Sequence, residues 1–131
     1  LFSMIANLPE GITLQVMNNG KHYFQSKGKW LFPIFELEDH LIKFPVDTAL
    51  LEVYDKVIGK AAAMLLLHLG VGCVYGNLMS ELADTVLCNA GVPHFYKEMV
   101  ERINCQTEAV LLEIDDVNVA YEILRKRANR S

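Results

Sequence analysis

The residues of this chain that could do chemistry stand near predicted junctions between a strand and a helix. In the clearest junction, residues 53–63, an apolar strand is predicted to end at Asp55-Lys56 and to pass directly into a helix with Gly59 on its first turn. In open α/β sheets, ligands bind at the carboxyl ends of strands, where helix N-termini present unpaired N–H groups. We therefore expect a ligand site at this junction.

Asp55 and Lys56 each have a structural and a functional interpretation. Asp55 could cap the predicted helix through the N–H groups of its first turn, which by itself explains an aspartate there. Lys56 opposes the dipole at a helix N-terminus, so it is better tolerated when its amine reaches a carboxylate or a bound anion. Ion pairing and ligand binding both remain open for Lys56, and the carboxylates that could pair with it are Glu52, Glu81 and Glu108.

Gly59 and Lys60 extend this candidate site along the predicted helix. Lys60 follows Lys56 by four residues, which places both on one helix face as a cationic patch or as an ordinary solvated surface. Gly59 suits close packing against a neighbouring element. The pair is not a phosphate-binding loop, because Tyr54 stands in place of its first glycine and Ala61 in place of its hydroxyl residue.

Three further candidates come from later in the chain. Ser80 and Glu81 suit the first positions of a helix, since serine is a good cap and glutamate favours the first turn. Cys105 could be a nucleophile if a helix N-terminus or Arg102 lowered the pKa of its thiol. An inert thiol is the alternative, because no base lies near Cys105 in the sequence.

Composition and charge limit the class of protein. The chain has 131 residues, 52% apolar and 21% charged, which predicts a single globular domain over residues 1–131. A net charge of −4 gives no reason to expect nucleic-acid binding. No apolar run approaches the roughly 20 residues that span a bilayer, so we expect no membrane partner. The chain opens at Leu1 without a secretory pattern, which fits a trimmed fragment.

The cysteines indicate where the protein works. Cys73, Cys88 and Cys105 are far apart and odd in number, which favours a reducing compartment over a disulfide framework. We therefore expect a cytoplasmic protein. Cys73 and Cys88 are predicted to be core residues.

Hydrophobic spacing and turn residues predict alternating strands and helices. Asn19-Gly20 suits the type I′ turn of a hairpin, and Pro33 suits the first turn of a helix. A helix end at residues 1–8 precedes them, and an α/β sandwich around a mixed sheet is the expected architecture. The predicted strands are 12–16, 23–26, 48–54, 71–75 and, at an edge, 92–96. The predicted helices are 33–42, 56–69, one that opens at Asn77 or Ser80 and runs to Gly91, 97–103, and 107–127, the last broken near Asp115-Asp116.

Several of these segments resemble one prokaryotic domain-of-unknown-function family. The resemblance covers roughly residues 12–108 and lies chiefly in the run from Asp55 to Ala63, with support from Gly70-Val71, Val74-Tyr75 and residues 80–83. It implies a three-layer sandwich related to the cytidine deaminases. That family carries a Cys-Pro-x-Glu near its C-terminus, which residues 105–108 match only in Cys105 and Glu108.

Zinc deamination is excluded by the residues themselves. A zinc deaminase needs His-x-Glu or Cys-x-Glu at one helix start and Pro-Cys-x-x-Cys at another, and the chain has neither motif. Asp55-Lys56 stands roughly where the first motif would fall, and a charged lysine does not ligate zinc. The sequence therefore predicts no metal and no cofactor; its histidines are scattered at His22, His40, His68 and His94.

Two functions from different classes remain open. The first is a small-molecule binding protein, with an anionic metabolite as the favoured ligand, whose pocket lies at Asp55-Lys56 with Ser80, Glu81 and Cys105 nearby. The second is a non-catalytic interaction domain that works by self-association as a homo-oligomer or by binding a partner protein. Neither interpretation establishes whether the protein is an enzyme.

Overall fold

The computed structural model describes residues 8–103 and 106–130. The helix end predicted at residues 1–8 therefore lies, except for Leu8, outside the described residues. The strands are β1 (Leu14–Asn18), β2 (Lys21–Ser26), β3 (Leu51–Ile58), β4 (Cys73–Ser80) and β5 (His94–Val100); the helices are α1 (Phe32–Lys43), α2 (Lys60–Leu69), α3 (Glu81–Asn89), α4 (Gln106–Val110) and α5 (Val117–Arg127), and a 3₁₀ turn spans Thr48–Leu50.

The five strands form one mixed sheet in the order β2-β1-β3-β4-β5. β1 is antiparallel to β2 and β3, whereas β3, β4 and β5 run parallel. The hairpin turn confirms the prediction, because Asn19 and Gly20 both have positive φ, 52° and 84°, as a type I′ turn requires. The mixed α/β architecture predicted from the sequence is therefore confirmed.

The junction after β3 differs from its prediction. The strand does not end at Tyr54 but continues to Ile58, and α2 begins at Lys60 with Gly59 as its N-cap. The physical reason is tertiary: Val57 and Ile58 pair with residues of β4, and this pairing outweighs the local helical spacing.

The helix positions predicted for Asp55 and Lys56 are wrong because β3 continues past both residues. Both are strand residues, so Asp55 does not cap α2. The prediction that Lys56 and Lys60 share one helix face is also wrong. Lys56 is exposed on β3, whereas Lys60 is buried in α2. No cationic patch of these two lysines exists.

The segment after α3 differs as well. Residues 97–103 were predicted to be helical, but β5 occupies His94–Val100 and pairs with β4 throughout. The predicted break near Asp115-Asp116 is confirmed, since one Asp116 oxygen caps α5 by accepting from the backbone N–H groups of Asn118 and Val119.

The described helices cover one face of the sheet. α1, α2, α3 and α5 share one apolar cluster with the strands. The two crossovers, β3-α2-β4 and β4-α3-β5, step in the same direction along the sheet, and crossovers of one hand that do so place both of their helices on one face. The opposite face carries Tyr54, Tyr75 and Phe95, stacked at ring separations of 4.5 and 5.2 Å. A third layer on this face stays a prediction.

Cys73 and Cys88 are not the core residues that the sequence predicted. Cys88 is exposed and Cys73 is half-buried. The core side of α3 is formed by Ala83 and Leu87, so Cys88, next along the helix, points away from it. Among the described residues, no helix combines the length and the apolar character needed to cross a membrane.

Candidate functional site

A cavity of about 330 Å³, called here the β3 cavity, opens at the carboxyl end of β3. Its walls come from four places: the residue before β1, the loop between β2 and α1 with the start of α1, the end of β3 with the first turn of α2, and Ile103 with two residues of α4. Most lining groups are apolar. The lining residues are Thr13, Gly28, Lys29, Trp30, Leu31, Pro33, Asp55, Lys56, Val57, Gly59, Ala61, Ala62, Ile103, Thr107 and Glu108.

Asp55 places a carboxyl group in the wall of this cavity. It lies directly opposite Leu14 in the β1–β3 pairing, so it shares the face of the sheet that the helices cover. Asp55 is only 9% exposed. Burial raises the pKa of Asp55 from 3.8 to about 7, although the backbone N–H groups of Val57 and Lys56 act in the opposite direction. Near neutral pH this group can therefore either donate or accept a hydrogen bond.

Glu108 forms the back wall and is held by three hydrogen bonds. One oxygen, Oε2, accepts from the backbone N–H of Lys60 and from the hydroxyl of Ser80, each at 2.7 Å. The other, Oε1, accepts from the backbone N–H of Ile103 at 2.6 Å. A buried carboxylate at the start of α2 also complements the helix dipole. Glu108 thus performs the capping role that the sequence had assigned to Asp55.

Ser80 and Glu81 have separate roles. Ser80 is confirmed as the N-cap of α3, since its hydroxyl oxygen accepts from the backbone N–H of Ala83 at 3.1 Å while its proton goes to Glu108. Glu81 is exposed on the first turn of α3 and does not line the β3 cavity. Ser80 therefore supports the cavity through Glu108, and Glu81 lies outside it.

Lys60 contributes its backbone to the site and not its amine. The side chain is 4% exposed, and Nζ lies 3.3 Å from the carbonyl oxygen of Leu112 and 3.4 Å from Asp115 Oδ1. These contacts tie α2 to the segment between α4 and α5. Both sequence interpretations of Lys60, a cationic patch and a solvated face, are therefore wrong.

The mouth of the β3 cavity carries the cations. The side chains of Lys29 and Lys56 are exposed at the rim. Trp30, 38% exposed, stands between Lys29 and α1 and packs edge-on against Phe32 at 5.1 Å. Its positive φ of 57° is unusual for a residue other than glycine. This loop was not part of the candidate site predicted from the sequence, although Gly28, Lys29 and Trp30 all line the cavity.

The candidate residues thus divide into four groups, one of which is Glu81 alone, outside the β3 cavity. Asp55, Lys56, Gly59 and Glu108 line the β3 cavity, and Ser80 and Lys60 support it from behind. Cys105 lies outside the described residues, so its predicted place near the site is untested.

Substitution of Gly59 tests how tightly the back wall is packed. A Cβ at this position would lie 3.0 Å from Glu108 Oε2 and 3.3 Å from an Ile103 side-chain carbon. Because Gly59 has φ −93°, alanine is not strained in its backbone, and the expected loss of about 1 kcal/mol in unfolding free energy comes from displacing the carboxylate. Urea denaturation measures this loss, and no loss in Gly59→Ala would contradict the tight wall.

Comparison with known proteins places the chain in a family. A crystal structure of a DUF1893 family protein, TM1506 from Thermotoga maritima, matches it with a TM-score of 0.79 and 26% identity over 88% of this chain and 80% of that one. No curated protein matches it. The family model described as "TM1506: Domain of unknown function (DUF1893)" matches residues 5–127. The chain therefore belongs to the DUF1893 family.

Proposed function

We propose that this protein binds a small molecule in the β3 cavity, with Asp55 as the group that recognises it. The single observation that carries the proposal is a buried carboxyl group, with its pKa raised to about 7, in the wall of an open and mostly apolar cavity. Such a combination is typical of ligand sites, in which a few polar groups orient a largely apolar ligand.

The chemistry of the walls defines the class of ligand. Leu31, Pro33, Ala61 and Ala62 offer apolar surface, and a volume of about 330 Å³ suits a compact molecule of one or two rings. Asp55 would hold an N–H group or a basic nitrogen of such a ring system. The ring character is supported by Trp30, whose side chain at the rim can stack on a flat ligand.

The sequence favours an anionic ligand, and we keep this expectation only for the part of the ligand that lies at the mouth of the cavity. Two buried carboxyl groups, Asp55 and Glu108, make the inner cavity unfavourable for a negative charge. Lys29 and Lys56 at the rim can instead pair with an anionic group that projects toward solvent. The proposed ligand therefore has a nitrogen-containing ring inside and, where it has a negative charge, carries it at the outer end.

The proposal also includes the relationship of this fold to other known folds. We place it among the relatives of the cytidine deaminases, and support comes from the mixed sheet with β3-α2-β4-α3-β5 connections. At the start of α2 the buried acceptor is Glu108, held by Lys60, Ser80 and Ile103, so the described residues there form a hydrogen-bonded wall without His or Cys. Binding without zinc chemistry is the function that this end of the sheet favours.

A fragment screen tests the proposed function. Thermal shift at pH 7 with one- and two-ring heterocycles should find stabilising compounds that carry an N–H or basic nitrogen, and matched rings without one should stabilise less. In Asp55→Asn, the Kd of a basic hit should rise by about tenfold or more, equivalent to about 1.4 kcal/mol, because the carboxylate partner is lost.

Two further variants locate the binding. Lys56→Ala should weaken only hits that carry an anionic group, whereas Glu10→Gln, an exposed carboxylate away from the cavity, should change nothing. Hits whose Kd is the same in wild type and Asp55→Asn, or a library that stabilises neither protein, would contradict the proposed function.

A further inference from the structure

Three potential metal ligands meet on the far side of α3 from the core. Asp84 and Cys88 lie one helical turn apart, and His94 opens β5 beside them. Their donor atoms all lie within 4.8 Å of one another. The separations are 2.7 Å from His94 Nε2 to Asp84 Oδ1, 3.7 Å from His94 Nε2 to Cys88 Sγ, and 3.9 Å from Cys88 Sγ to Asp84 Oδ1.

The orientation of His94 places one of its ring nitrogens against a carbonyl oxygen and the other against a carboxylate oxygen. Nδ1 lies 2.8 Å from the carbonyl oxygen of Val92, which can only accept, so Nδ1 carries a proton. In the neutral imidazole, Nε2 is then an acceptor that faces a second acceptor, Asp84 Oδ1, at hydrogen-bond distance. Two acceptors this close require either a second proton on the ring or a metal ion between them. Histidine ligands of metals commonly have their other ring nitrogen fixed by a carbonyl in this way.

We propose that Asp84, Cys88 and His94 bind a zinc ion. A thiolate, an imidazole and a carboxylate are the three ligand types that zinc takes, and the two negative charges balance Zn²⁺. Tetrahedral zinc, with Zn–S of about 2.3 Å and Zn–N or Zn–O of about 2.0 Å, separates its ligand atoms by about 3.3–3.6 Å. The two sulfur separations are close to this range, and the His94–Asp84 pair needs to open by about 0.6 Å when the metal replaces the proton.

The exposure of the three side chains favours a metal site that is open to solvent and has one coordination position not filled by protein. The side chain of His94 is 10% exposed and that of Asp84 31%, while Cys88 is exposed. Zinc can therefore reach its ligands from solvent, and water fills the fourth position. This site lies on α3 and β5, and none of its residues lines the β3 cavity. It is therefore independent of the proposed function.

Cobalt(II) is the spectroscopic probe for this site. In reduced protein, titration with Co²⁺ should give one ion per chain with a thiolate-to-cobalt charge-transfer band, and Zn²⁺ should displace it. Cys88→Ser should lose the band and bind more than about tenfold more weakly, as should His94→Gln.

The cysteines supply matched controls. Cys73→Ser, alone or with Cys105→Ser, should keep both the band and the affinity, so that Cys88 is identified as the thiolate. Because Cys88 is exposed, its replacement by serine should leave the fold intact, which circular dichroism checks. An absent band in folded wild-type protein, a band that survives in Cys88→Ser, or equal affinities across these variants would overturn the proposal; a simple His94–Asp84 ion pair between α3 and β5 would then remain.

Discussion

Replacement of Glu108 by alanine is expected to lower the unfolding free energy by about 3–5 kcal/mol, the largest effect we predict for one side chain. The variant leaves three donors without their acceptor: the buried N–H of Lys60, the buried hydroxyl of Ser80 and the part-buried N–H of Ile103. It also removes the negative charge that complements the start of α2. The elements that lose their common partner are α2, β4 and the segment after β5.

Urea denaturation at pH 7 measures this loss, and two variants interpret it. Glu108→Gln should lose less, about 2 kcal/mol, since the amide keeps one acceptor oxygen but turns an NH₂ group toward a donor. Glu113→Gln, an exposed glutamate five residues further on, should lose less than about 0.5 kcal/mol. A loss below about 1 kcal/mol in Glu108→Ala would show that the three hydrogen bonds do not stabilise the fold as described.

Asp55 should make the protein less stable as the pH rises from about 4 to about 7. Its pKa is raised from 3.8 to about 7 by burial, so within this window the folded state holds a proton that the unfolded chain has lost. Unfolding free energy therefore falls as pH rises, and the contribution present below pH 4 is lost above pH 7. The pKa difference corresponds to about 4 kcal/mol across the window.

Asp55→Asn isolates this contribution, because asparagine has the same shape and stays neutral. The variant should match wild type near pH 4 and exceed it in unfolding free energy by up to about 4 kcal/mol at pH 8. Denaturant unfolding at pH 4, 6 and 8 measures the difference, with Glu10→Gln as a surface control. A constant difference between wild type and Asp55→Asn at all three values would mean that the carboxyl is not buried as described.

Local chemistry was enough to predict several elements. Asn19-Gly20 favours positive φ at two successive residues, Pro33 suits a helix start, and Asp116 supplies a cap, and each of these signals depends on residues close in sequence. Ser80 was predicted as a cap for the same reason. The order of strands and helices up to Gly91 follows from such signals together with hydrophobic spacing.

The site depends on contacts that sequence spacing does not contain. β3 continues past Asp55 because Val57 and Ile58 pair with β4, and the cap of α2 comes from Glu108, 48 residues after Lys60. The sequence named Glu108 as a candidate site residue and a possible partner of Lys56, but not as the cap of α2. The raised pKa of Asp55 likewise comes from burial under elements that are distant in the sequence, so sequence spacing does not predict it.

The cluster on α3 shows the same limit. Asp84 and Cys88 are visible as a pair four residues apart, yet His94 joins them only because β5 lies beside β4 and returns next to α3. His94, which has no potential ligand partner by sequence motif, therefore lies beside two potential ligands in the structure. The sequence prediction of no metal was based on motif spacing alone.

The central claim is that a small molecule binds in the β3 cavity, and an NMR titration tests it most directly. With ¹⁵N-labelled protein and a heterocyclic hit from the fragment screen, we expect the largest amide shifts at Thr13, Gly28, Ala61 and Ala62, and we expect them to shrink in Asp55→Asn at the same ligand concentration. Saturable shifts confined to residues outside the cavity walls, or undiminished shifts in Asp55→Asn, would contradict the account.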